Sequence, residues 1–117
     1  MENEFVRTLS VLHLTKSEMA EMDAIIQNMD YACGDDGWIP SLKDVEEKLI
    51  GRYFDKVNEL RANTFAKMPD KRKMNECRED MKRLWFFMYW IVETCPEMDP
   101  VAYERLSKFV DSKVQVE

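Results

Sequence analysis

The feature that most constrains the fold is a run of nine apolar or aromatic residues at 84–92, Leu-Trp-Phe-Phe-Met-Tyr-Trp-Ile-Val. A nine-residue helix is roughly 13 Å long at about 1.5 Å per residue, whereas a membrane-spanning helix needs about 20 apolar residues. The run therefore predicts a buried core helix and not a membrane anchor. Apolar residues at helical spacing extend it back to Met74 and on to Cys95, which predicts one helix over about 71–95 with Asp70 as its N-cap.

Helix signals also lie on the amino-terminal side of this run. Apolar residues at helical spacing predict a short first helix over about 3–13. Thr15 and Glu18 match a capping box, in which the hydroxyl accepts a first-turn amide and the carboxylate reaches back to the cap. A second helix should therefore start there and end at Gly34 to Gly37, since glycine permits the left-handed backbone of many helix ends.

Two further helices complete the pattern. Ser41 is a suitable N-cap for a long third helix over about 42–66, within which Gly51 indicates a kink or break. Asp99 followed by Pro100 predicts another helix, extending to about residue 112. No stretch alternates convincingly with period two. We therefore expect an all-α fold, a single compact domain over residues 1–117 with four to five helices packed around the hydrophobic fourth helix.

The charge of the chain is unevenly distributed around a formal net charge of -6. Residues 1–50 hold 4 Lys/Arg against 11 Asp/Glu, residues 51–83 hold 10 against 6, and residues 84–117 hold 3 against 6. The basic middle and acidic ends fit either complementarity between neighbouring helices or a partner-binding surface. The amino terminus lacks a basic region followed by an apolar stretch, which favours a cytoplasmic protein.

Few residues suggest catalysis or metal binding. His13 is the only histidine, and no Ser, Cys or carboxylate is spaced to act with it as a base. The three cysteines, Cys33, Cys77 and Cys95, form no Cys-x-x-Cys pair, so we expect reduced and mostly buried thiols. The sequence predicts no enzyme, no metal site and no cofactor.

The aromatic run also offers a candidate partner-binding surface. Phe86, Tyr89 and Trp90 lie off the main apolar stripe, so they need a cover of their own, either other helices of the same chain or another molecule. A second candidate surface is the basic flank of the same helix, which has acidic residues interspersed along it. Its candidate residues are Arg72, Lys73 and Arg83.

Residues 41–61 are similar in shape to a helix-turn-helix, with a Ser-Leu-x-x-Val-x-x-x-Leu first helix, a glycine at the turn and a basic second helix. The resemblance covers about 21 residues of the 117 and implies nucleic-acid binding through Arg52, Lys56 and Arg61. One long structural helix is the alternative, which the bulky Tyr53 and Phe54 near the turn favour.

The leading hypothesis is a small acidic, non-enzymatic helical protein that acts through protein–protein contact, as an adaptor, inhibitor or regulatory subunit. Its partner is of unknown identity and could be a second copy of the chain. The first alternative is a nucleic-acid-binding regulator. The second is an acidic inhibitor of a nucleic-acid-binding protein, presenting carboxylates around Glu46 and Glu47.

Overall fold

The computed structural model describes residues 9–28 and 39–117, which are mostly helical and form an all-α fold with four helices. The helix predicted over 71–95 lies at its centre. The second helix, α2, is continuous over residues 42–64 and consists of three segments, Leu42–Asp44, Val45–Ile50 and Gly51–Thr64. The other elements are β1 (Leu12–Leu14), α1 (Lys16–Gln27), α3 (Lys71–Thr94), α4 (Pro100–Ser112) and β2 (Val114–Val116).

The predicted N-caps begin all four helices. In α1 the backbone N–H of Glu18 donates to Thr15 Oγ1 at 3.1 Å, and the Thr15 N–H donates to Glu18 Oε1 at 3.3 Å. Ser41 and Asp44 form the equivalent box in α2, where the Ser41 backbone N–H holds the pKa of the Asp44 carboxyl below its ordinary value. The remaining two caps are the carboxylates of Asp70 for α3 and Asp99 for α4.

The prediction of a first helix over about 3–13 is wrong at its end, because Leu12–Leu14 form a strand. Residues 3–8 lie outside the described residues. β1 pairs in parallel with β2, placing Leu12 opposite Val114 and Leu14 opposite Val116. Both leucines are buried, while the histidine between them is exposed. This period-two pattern lasts only three residues, too short to be distinguished in sequence from helical spacing.

Gly51 does not break α2. Its φ and ψ of -58° and -43° are helical, and its N–H donates to the carbonyl of Glu46, five residues earlier. This wider π turn brings the consecutive side chains of Leu49 and Ile50 into the core. A Cβ on residue 51 would lie 3.0 Å from the Glu46 carbonyl oxygen, which accounts for glycine here. Residues 42–61 therefore lie in one continuous helix and do not form the helix-turn-helix that the sequence of residues 41–61 resembles.

Two helix ends also differ from expectation. α2 ends at Thr64, two residues before the predicted end. α1 ends at Gln27, where the Asn28 backbone N–H and side-chain amide both bond to the carbonyl of Ala24. Gly34 and Gly37, the predicted stop, lie outside the described residues.

The core forms around α3, as the apolar stripe predicts. Trp85, Met88 and Ile91 are at most 1% exposed. The indole N–H of Trp85 donates to the backbone carbonyl of Val110 at 3.0 Å and so joins α3 to α4. Cys77 and Cys95 are buried free thiols, as expected, whereas Cys33 is not described. In the described parts of the chain, no helix has both the length and the apolar character needed to cross a membrane.

Candidate interaction surfaces

The predicted aromatic face is half-buried. Phe86, Tyr89 and Trp90 all pack against the core, and none is fully enclosed. The Tyr89 ring stacks on Trp85 with 5.1 Å between ring centroids. Its hydroxyl donates to Asp23 Oδ1 of α1 at 2.5 Å, and burial together with this carboxylate raises the pKa of Tyr89 above its ordinary value. Part of the cover for this face is thus the chain's own α1.

α1 is held less firmly than the other three helices. None of its twelve residues is buried, and Met19 and Met22 reach the core only with half-buried side chains. Its polar contacts to α3 are the Tyr89 hydrogen bond and an ion pair in which Lys82 Nζ lies 3.8 Å from Glu18 Oε2. Exposed ion pairs contribute little to stability, so α1 lies on the surface of the core without being built into it.

A groove of about 350 Å³ runs between α1 and α3. Met22 and Ile25 of α1 and Phe86 of α3 supply its apolar lining. Ile25 is 51% exposed, so the groove offers open apolar surface. Its charged border consists of Glu18, Glu21, Glu79, Lys82 and Arg83.

The structure brings two of the three predicted basic residues together, since Arg72 and Arg83 line one depression on α3 that also holds Glu76, Glu79 and Asp80, but Lys73 is not among its lining residues. Arg83 borders the groove, but Lys73 lies ten residues earlier on α3, a distance of roughly 15 Å along the axis. Arg72 Nε lies 3.4 Å from Glu76 Oε1, and Arg83 Nη1 lies 3.2 Å from Asp80 Oδ1. Lys73 lines a shallow depression together with acidic residues. The basic flank is therefore a surface of mixed charge.

The three residues proposed for nucleic-acid binding do not all share a face: Arg52 and Lys56 line one depression together with Asp55, Glu59 and Asp80, but Arg61 does not. At 3.6 residues per turn, Arg61 lies about 180° around the helix from Arg52. Lys56 Nζ lies 3.3 Å from Glu59 Oε2 and 3.4 Å from Asp80 Oδ2, and hydrogen bonds to these carboxylates raise the pKa of Lys56. This part of α2 forms no continuous positive surface.

The residues predicted to act in an acidic inhibitor, Glu46 and Glu47, lie in the π turn of α2. Glu46 Oε1 accepts a hydrogen bond from Arg105 Nε of α4 at 2.5 Å, so its charge is engaged within the chain. Glu47 is exposed. Across the described ranges 9–28 and 39–117, no group of three or more His, Cys, Asp or Glu residues is placed to hold a metal ion.

Sequence reasoning missed the contribution of α1 to the groove. The available signal was Ile25, which adjoins Ile26 and so broadens the apolar stripe beyond what one contact with α3 needs.

Comparisons with protein-family models, curated proteins and solved structures found no match to this chain. The fold and the surface alone define its class, a small all-α protein with an open groove between a peripheral helix and the core.

Proposed function

We propose that this chain is a non-enzymatic interaction protein that binds a helix of a partner protein in the groove between α1 and α3. The observation that carries the proposal is the open apolar lining formed by Met22, Ile25 and Phe86. A groove between helices accepts an amphipathic helix whose apolar residues recur every three to four positions.

The charges suggest what else the partner helix carries. Lys82 and Arg83 at the border are each engaged by carboxylates of the chain itself, at 3.8 Å from Glu18 and 3.2 Å from Asp80 respectively. Glu21 forms no ion pair with any described residue. With a net charge of -6 over the chain, a partner with basic residues beside its apolar stripe is favoured. A cytoplasmic location and a regulatory role are parts of the same proposal.

The test compares two matched substitutions of exposed apolar residues. Ile25→Asp places a charge in the groove, whereas Val101→Asp makes the same kind of change at a 60% exposed position on α4. Each variant and the unaltered protein are used to capture proteins from a native extract, and each captured protein is then titrated against all three by calorimetry.

We expect a partner that binds the unaltered chain and Val101→Asp equally but binds Ile25→Asp at least tenfold more weakly, because a charge in an apolar contact is costly. Sedimentation of the same samples tests the alternative occupant, a second copy of the chain. Partners that bind Ile25→Asp with undiminished affinity would show that the groove is not the binding surface.

Nucleic-acid binding receives no support from the placement of Arg52, Lys56 and Arg61. It can be tested separately by titrating random duplex DNA at several salt concentrations, because phosphate contacts make affinity fall steeply with salt. We expect no measurable binding at about 50 mM salt.

A further inference from the structure

The two-stranded sheet has an open edge along β2. The strand order is β1-β2, and no other strand of the described ranges flanks β2. The Leu12 N–H donates to the carbonyl of Lys113 at 2.9 Å, and the Glu117 N–H donates to the carbonyl of Leu14 at 2.8 Å. Successive residues of a strand direct their backbone groups to opposite sides. β2 therefore bonds to β1 through every second residue, starting at Lys113.

The alternate residues of β2, Val114 and Val116, direct their N–H and C=O groups away from β1. Neither residue forms a hydrogen bond on that side with any residue in 9–28 or 39–117. Val116 is also 42% exposed, although Leu14, which lies opposite it on the same face of the sheet, is completely buried. A strand edge with free backbone groups and an exposed apolar side chain accepts a further strand.

The sequence along this edge is complementary to itself. It reads Lys113-Val-Gln-Val-Glu117, with a cation at one end and an anion at the other. When two copies pair antiparallel about Gln115, each Val114 lies opposite Val116 of the other copy. These are the residues whose backbone groups point outwards, so each such pair exchanges two N–H···O=C hydrogen bonds and the two copies share four.

Charge favours the same register. It places Lys113 opposite Glu117 of the other copy, at a non-hydrogen-bonded position, where facing side chains lie closest. Lys113 Nζ lies 5.3 Å from the centroid of the Phe54 ring and forms no ion pair with any residue of the described ranges. The Glu117 side chain is 68% exposed, and its carboxylate lies 3.8 Å from the exposed His13. A register shifted by two residues loses both of the ion pairs between the copies.

We propose that β2 pairs antiparallel with β2 of a second copy of the chain. The result is a four-stranded sheet in the order β1-β2-β2-β1, with a two-fold axis at Gln115. A two-fold interface uses the same patch on both copies, and a self-complementary strand meets that requirement. The strand is short and buries little area, so we expect a weak dimer with a dissociation constant on the order of 100 µM. The groove between α1 and α3 takes no part, since none of its lining residues belongs to either strand.

The experiment exchanges the two charges in separate variants. A dimer of Lys113→Glu contains only acidic pairs at these positions, and a dimer of Glu117→Lys contains only basic pairs. When the two variants are mixed, every pair in the mixed dimer again has opposite charges. Lys43→Glu and Glu47→Lys make the same changes at exposed positions of α2 and are the matched controls. Circular dichroism checks that each variant is folded, and sedimentation equilibrium measures association from about 10 µM to about 1 mM.

We expect the two controls to dimerise as strongly as the unaltered chain. Each edge variant alone should dimerise about tenfold more weakly, and an equimolar mixture of the two should regain the affinity of the unaltered chain. Ile25→Asp, which changes the groove, should leave dimerisation unchanged.

Amide hydrogen exchange locates the contact residue by residue. A higher protein concentration should slow exchange at Val114 and Val116, whose N–H groups face the open edge, and not at Gln115, whose N–H faces β1. The proposal is overturned if the unaltered chain stays monomeric at about 1 mM, or if the mixture associates no better than either edge variant alone. Equal protection of all three amides on dimerisation would overturn it as well.

Discussion

The shortest polar contact between α1 and the core is the hydrogen bond from the Tyr89 hydroxyl to Asp23. Removing this hydroxyl tests whether α1 can open independently of the rest of the fold. Tyr89→Phe deletes the hydrogen bond to Asp23, which spans 2.5 Å, and keeps the ring that stacks on Trp85. No cavity is expected beyond the size of the lost oxygen. The change therefore isolates one interaction between two helices.

The magnitude follows from the surroundings of the bond. A hydrogen bond to a charged group contributes about 1.5–3 kcal/mol when it is well shielded. Tyr89 and Asp23 are both only half-buried, so water can replace part of the interaction, and we expect a loss of about 1 kcal/mol. That loss corresponds to about a fivefold increase in the opening equilibrium of α1.

Native-state hydrogen exchange measures this opening residue by residue. Amides in residues 20–27 should lose about fivefold in protection, whereas amides of α3 should change by less than twofold. Tyr103→Phe is the matched control, because the exposed Tyr103 hydroxyl makes no hydrogen bond to a described side chain or backbone group.

Two results would refute the reasoning. An equal loss of protection in α1 and α3 would mean that α1 unfolds only with the whole protein and is not a peripheral layer. Unchanged exchange in α1 would mean that the Tyr89 hydroxyl does not hold this helix at all.

Three other perturbations address the core and the π turn. Alanine in a helix normally raises the free energy of unfolding by roughly 1 kcal/mol over glycine, but Gly51→Ala should not, because the new Cβ would lie 3.0 Å from a backbone oxygen. The reference value is the difference in urea unfolding between Asn58→Ala and Asn58→Gly, at an exposed position of the same helix. Trp85→Phe should cost about 2 kcal/mol in urea unfolding, since it removes a buried hydrogen bond and part of a fully buried ring, and a loss below about 0.5 kcal/mol would contradict that role. Burial raises the pKa of Tyr53 and Tyr89 above the ordinary value of 10, so the folded state favours their neutral forms. The free energy that this preference adds to folding should be fully present below pH 10 and fall as the pH rises above it. The double variant with Tyr53→Phe and Tyr89→Phe should therefore lose less stability between about pH 9 and 11.

Local chemistry made most helix starts predictable. Thr15, Ser41, Asp70 and Asp99 act as caps through contacts with residues two or three positions away, so their effect is visible in the sequence. The central stripe of α3 was equally readable, because a helix that is apolar on one face must bury that face.

Features that depend on distant residues were not predictable. The strand at 12–14 exists because its backbone pairs with residues 114–116, and nothing near His13 indicates that partner. The π turn depends on a choice between two closely similar hydrogen-bond patterns at Gly51. The groove depends on where α1 packs on α3, and the contacts between these helices join residues far apart in the sequence, such as Asp23 and Tyr89, which are 66 residues apart.

The pairing of β1 with β2 also constrains the order of events during protein synthesis. Leu12 and its partner Val114 are 102 residues apart (114 minus 12), so at about 5–20 residues per second the first strand is made roughly 5 to 20 s before the second. Helices and helix pairs form on far shorter timescales. The β1–β2 contact can therefore form only after residues 114–116 have been made, several seconds after β1 itself.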